Sequence, residues 1–68
     1  MQTKIYEVGY EARKHGSIGI FGNVTRRVMA NTESEAKEAA FRVLHLDDYE
    51  TNHVNWVHDT GETVDIPE

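Results

Sequence analysis

Val28-Met29-Ala30-Asn31-Thr32-Glu33-Ser34-Glu35-Ala36 is the stretch on which the fold turns. Up to Ala30 the residues alternate as in a strand, and beyond Thr32 the apolar positions recur with a helical period. Thr32 with Glu35 three residues on fits a capping box, the hydroxyl taking an amide and the carboxylate reaching back. Glu33 and Glu35 also sit where the positive end of a helix dipole favours anions. Over residues 33–46, Ala36, Ala39, Ala40, Val43, Leu44 and Leu46 gather on one face. Glu35, Glu38, Arg42 and His45 fall opposite, with Glu38 and Arg42 spaced as an i,i+4 pair. The small alanines predict a helix that lies close against a sheet, and Asp47-Asp48 ends it.

Outward from that switch the chain reads as strands. Residues 4–12 alternate, with Tyr6, Val8, Tyr10 and Ala12 on one side and Ile5, Glu7, Gly9 and Glu11 on the other. Residues 23–30 resume the alternation, Val24, Val28 and Ala30 against Thr25, Arg27 and Met29, with Arg26 out of place beside the valines. Between them Gly16, Gly19 and Gly22 mark a long loop. Residues 49–58 predict a third strand, Val54 and Trp56 on one face and His53, Asn55 and Val57 on the other. Asp59-Thr60-Gly61 is a turn signal, so residues 62–66 offer a short fourth strand before Pro67. The expected architecture is one α+β domain over residues 1–68, a β-β-α-β chain with the helix packed on a three- to four-stranded, mainly antiparallel sheet. A right-handed crossover gives the order second-first-third. Tyr6, Val8, Tyr10, Val24, Val28, Val54 and Trp56 would then meet the helix, leaving the other face of the sheet open.

The charge is divided along the chain. Residues 1–30 hold five Lys and Arg against two Glu, a net of +3, and residues 31–68 hold two against ten acidic residues, a net of −8. Such asymmetry bears on partners and association rates rather than on fold. With 68 residues, only about 60% of the unfolded surface is buried, which argues against a deep enclosed cavity. No cysteine is present, so disulfides and thiolate metal sites are excluded. The first residues lack the apolar run of a signal peptide, and no stretch approaches a membrane span. A small acidic cytoplasmic domain is the expectation, in the host cytoplasm if the chain is phage-encoded.

No constellation specifies a reaction. The loop His15-Gly16-Ser17-Ile18-Gly19-Ile20-Phe21-Gly22 lacks the Lys-Ser/Thr pair and helix start of a phosphate cradle. Its apolar residues either fold back onto the small core or stand out as interface anchors. His15, His45, His53 and His58 show no chelating spacing, and His53 and His58, five apart on a strand, point to opposite faces. Asp47-Asp48 reads as helix termination rather than an acid–base pair, and no nucleophile sits beside a base. Neither an enzyme nor a cofactor is expected. Arg13, Lys14, Arg26 and Arg27 with Phe21 make a small basic, aromatic patch suited to weak nucleic-acid binding. The acidic half suits a basic protein surface, of the kind found on nucleic-acid enzymes.

The opening run, then Ala39-Ala40, then Tyr49-Glu50-Thr51-Asn52-His53-Val54, shows a V-x-A-x-T-x-x-E-A helix entry followed by an aromatic–Glu strand with Val four residues after the Glu. Over residues 24–58 this resembles small phage-encoded host-takeover proteins, among them the podophage inhibitors of host RNA polymerase. The resemblance implies a non-catalytic protein that binds and inhibits or modulates a host macromolecule. Two arginines that grip the polymerase in those inhibitors are matched here by His53 and Asn55. The expected contacts are therefore Ile18, Ile20, Phe21, Arg26 and Arg27 on the hairpin side, and Glu35, Glu38, Asp47, Asp48 and Glu50 on the acidic side. The alternatives are a nucleic-acid module on the basic hairpin and a structural domain that dimerises through an edge strand.

Overall fold

The computed structural model describes residues 1–67, with strand β1 (Gln2–Lys14), strand β2 (Gly22–Ala30), helix α1 (Glu33–Leu46) and strand β3 (Tyr49–Asp65) in chain order. β1 is central and antiparallel to both neighbours, giving the sheet order β2-β1-β3. β2 and β3 therefore run the same way, and the chain needs a crossover between them, which α1 provides. Thr32 caps α1, its hydroxyl accepting from the Glu35 amide at 3.2 Å, with Glu33 and Glu35 in the first turn. At the other end Asp48 takes a left-handed φ of 68° and turns the chain into β3, a conformation that Asp tolerates better than most residues.

The core lies between α1 and one face of the sheet. Tyr6, Val8, Tyr10 and Ala12 of β1 and Val28 and Ala30 of β2 meet Ala36, Ala40 and Leu44 of α1. Ala36, Ala40, Leu44 and Val8 are wholly buried. The small side chains on α1 let its backbone approach β1 closely enough for the Tyr10 hydroxyl to donate to the Lys37 carbonyl at 2.9 Å. Burial holds the Tyr10 phenol above its ordinary pKa.

The third strand departs from simple alternation. Pairing of β1 with β3 shifts between Glu11 and Ala12, between Gly9 and Tyr10, and between Lys4 and Tyr6. The first two shifts insert Asn52 and Asn55 as single extra residues on β3, and each reverses which face the following residues occupy. Val54 thus opposes Tyr10 and Val57 opposes Val8, and both pack against the core. Trp56 opposes Gly9 and lies over it on the open face, 39% exposed, rather than under the helix. His53 and His58 likewise share the open face, opposite Glu11 and Glu7, instead of pointing apart.

Asp59-Thr60-Gly61 is a bulge inside β3 and not a turn to a fourth strand. Lys4 pairs with Thr63 and Tyr6 with Asp59, so Ile5 alone faces three residues of β3. The bulge satisfies its own backbone: Asp59 accepts from the Gly61 amide at 3.0 Å, and Thr60 donates to the Ile5 carbonyl at 2.8 Å and accepts from the Glu62 amide. Gly61 sits at a φ of 81°, which favours glycine. Residues 63–65 then continue β3 along the start of β1, opposite Lys4, Thr3 and Gln2.

A Cβ placed on Gly9 would lie 2.5 Å from Trp56 Nε1 and 2.8 Å from Asn23 Oδ1. Gly9→Ala should therefore push the indole off the strand and destabilise the fold by about 1–3 kcal/mol, the usual cost of overpacking. Chemical denaturation followed by the emission of the single tryptophan checks both effects. Hydrogen bonding from the Gly61 amide, with help from Lys4, holds the Asp59 carboxyl below its ordinary value of 3.8. A lowered folded pKa stabilises above the unfolded value and ceases to do so as pH falls through the folded one. The melting temperature of Asp59→Asn should lie below that of the parent at neutral pH, and the gap should close below about pH 4.

Candidate interaction surface

The loop between β1 and β2 and the exit of α1 meet at one end of an elongated molecule, 43 Å long and 21 Å by 15 Å across. The His15 amide donates to the Asp48 carbonyl at 2.8 Å, and His15 Nδ1 lies 3.1 Å from Asp48 Oδ1. Lys14 Nζ donates to the Asp47 carbonyl at 2.9 Å, a cation placed where helix carbonyls end. Arg26 bonds Asp47 Oδ2 through two nitrogens at 3.2 and 3.3 Å. Lys14 and Arg26 both lie over the Tyr49 ring, 4.8 and 5.6 Å from its centre. Arg26, out of register in the strand pattern, is thereby explained: it faces the helix side and reaches its end.

The loop itself is anchored from the sheet. Arg13 pairs with Glu50, donates to the Gly19 carbonyl at 2.8 Å and covers the Phe21 ring at 4.4 Å. Ser17 turns the chain by accepting from the Gly19 amide at 3.2 Å, and Gly16 supplies a φ of 81°. With Phe21 drawn back under Arg13, Ile18 and Ile20 stand out at 102% and 94% exposure. Leu46, expected on the buried helix face, is 86% exposed at the same end, since it lies about 120° around the helix from Ala40, the middle of the buried line Ala36, Ala40 and Leu44. Tyr10, Phe41, His45 and His15 continue as a line of ring contacts along this side.

The divided charge is largely satisfied within the molecule. All five basic residues of the first thirty have partners: Lys4 with Asp59, Arg13 with Glu50, Lys14 with the Asp47 carbonyl, Arg26 with Asp47, and Arg27 with Glu7 and Glu62. Hydrogen bonding to Glu62, then its charge, raises the Arg27 pKa. Glu38 pairs with Arg42 along the helix. Among the described residues, Glu11, Glu33, Glu35 and Asp65 have no cationic partner.

The residues singled out in the sequence thus fall into three places. Ile18, Ile20, Phe21, Arg26, Asp47, Asp48 and Glu50 come together at the loop end. Arg27 lies on the open face of the sheet. Glu35 and Glu38 stand on the first turns of α1, up to about 20 Å along the helix from its exit. Leu46, Tyr49 and Arg13 belong to the loop end as well, and no local spacing announced that a helix terminus and a hairpin loop would meet. No pocket and no group of three His, Asp or Glu arranged to hold a metal ion occurs among the described residues. No helix there is long and apolar enough to cross a membrane.

Comparison with protein-family models, with characterised proteins and with solved structures finds no significant match to this chain.

These ion pairs lie at the surface, where each contributes about 0–1 kcal/mol. A double-mutant cycle on Arg26 and Asp47, read by denaturant unfolding of the parent, both single alanine variants and the double, should give a coupling energy within that range. A value near zero would mean that Arg26 serves the loop end only through its packing on Tyr49.

Proposed function

We propose that this chain is a non-catalytic binding protein that docks on a protein of a bacterial host through its loop end and inhibits or modulates that protein. The observation that carries the reading is the full exposure of Ile18 and Ile20 on a loop fastened at both sides. Two large apolar side chains held in water on a preorganised support lose little conformational freedom on docking, which is how interface anchors obtain their energy. Leu46 extends the apolar end, and beneath it Arg13, Lys14 and Arg26 balance Glu50, Asp47 and Asp48, leaving little net charge to desolvate. The partner surface is therefore an apolar cleft. Glu33 and Glu35, free of cationic partners, favour approach to a host protein with a basic, nucleic-acid-binding surface.

The resemblance of residues 24–58 to phage host-takeover proteins supports the host-directed part of this reading. A nucleic-acid module on the basic hairpin is less well supported, because Arg13, Arg26 and Arg27 each engage a carboxylate. Their phosphate affinity would have to displace those carboxylates.

Pull-down from nuclease-treated bacterial lysate, with the same partner quantified across variants, tests the reading. Ile18→Asp with Ile20→Asp should reduce capture at least tenfold while the circular dichroism spectrum and melting temperature stay near those of the parent. Glu35→Lys should reduce it only modestly. Capture that survives the loop variant, or is abolished by Glu35→Lys alone, would overturn the assignment of the loop as anchor.

A further inference from the structure

The open face of the sheet carries a second surface, distinct from the loop end and independent of the reading above. At its centre Trp56 lies across Gly9, where a bare backbone lets the indole settle onto the strand, and it remains 39% exposed. Glu11 and Glu7 flank Gly9 along β1, one on each side. Glu11 meets only the Asn55 side-chain amide, at 3.4 Å, and Asn55 also donates to Asn23 Oδ1 at 3.0 Å. On the other side Glu7 and Glu62 share the single cation Arg27. Arg13 and Glu50 offset each other at the far end. One uncompensated negative charge therefore remains on either side of the indole. Beyond Arg27, the paired residues Ile5 and Met29, the latter 57% exposed, add apolar surface at the other end.

We propose that this face binds a cationic segment of a protein, seating a lysine or arginine head on Trp56 between Glu11 and the Glu7–Arg27–Glu62 group. Tryptophan is the best of the aromatic partners for a cation, and the interaction strengthens as water is excluded. The flanking carboxylates supply the charge complementarity, and Ile5 with Met29 suits the aliphatic stems of neighbouring basic residues. The same net negative charge disfavours a nucleic-acid strand, although an exposed aromatic on an open sheet would otherwise suit base stacking.

Titration of the intact protein with hexa-arginine at low ionic strength, followed by Trp56 emission, tests the proposal. The expected result is a saturable change that weakens as salt is raised to about 0.15 M. Glu11→Gln, which keeps an acceptor for Asn55 but removes the charge, should weaken binding about three- to fivefold, the scale of one exposed charge contact. Glu35→Gln on the helix should titrate like the parent, and so should the Ile18→Asp, Ile20→Asp variant, which separates this surface from the loop end. The proposal is overturned by the absence of a saturable change, by equal weakening in Glu11→Gln and Glu35→Gln, or by comparable binding of an oligothymidylate.

Discussion

The packing of α1 on β1 is the contact on which the rest of the molecule depends. A chain of 68 residues has room for one core, and here it is the seam between Val8, Tyr6 and Tyr10 on the central strand and Ala36, Ala40 and Leu44 on the helix. Because α1 must connect two strands that both flank β1, it crosses over the middle of the sheet and covers one face alone. The opposite face, the two outer edges and the β1–β2 loop are left to solvent as a direct consequence. What this protein can offer a partner is therefore those surfaces together with the exposed outer face of the helix itself.

The charge distribution acquires its meaning within that geometry. Read along the chain, a basic first half and an acidic second half suggest two separate binding surfaces. In the fold, β3 and the end of α1 lie beside β1 and β2, and the halves answer each other: Arg13 with Glu50, Arg26 with Asp47, Lys4 with Asp59, Arg27 with Glu62. Individually these exposed pairs are weak. Two of them, Arg13 with Glu50 and Arg26 with Asp47, lie at the loop end, where they tie the glycine loop and the helix exit to the sheet and offset charge beneath Ile18 and Ile20. In the binding mode proposed above, the apolar residues on a locally neutral base supply the contact and the excess of acid elsewhere supplies attraction at a distance.

Local chemistry made much of the fold legible. Thr32 and Glu35 mark the helix start, the alanines mark its buried face, and the alternation around Tyr6-Val8-Tyr10 marks the central strand. What escaped was long-range or irregular. Period-2 reading assumes an unbroken ladder, so the extra residue Asn55 reversed the faces assigned to Trp56, Val57 and His58. Asp59-Thr60-Gly61 has the composition of a turn and serves as one, but within a strand that continues, since β1 extends far enough to pair with both sides of it. The exposure of the loop isoleucines depends on Arg13 holding Phe21 and Gly19, a contact between residues whose arrangement no spacing rule describes. The meeting of His15 with Asp48 is likewise a product of the tertiary fold.

Amide hydrogen exchange of the protein alone and in complex with a protein captured from bacterial lysate tests the central claim most directly. Docking through the apolar loop end predicts new protection across residues 15–22 and the helix exit near Leu46, with the first turns of α1 exchanging as in the free protein. Protection confined to the helix around Glu33, Glu35 and Glu38, with the loop amides unchanged, would contradict it and make the acidic helix face the contact.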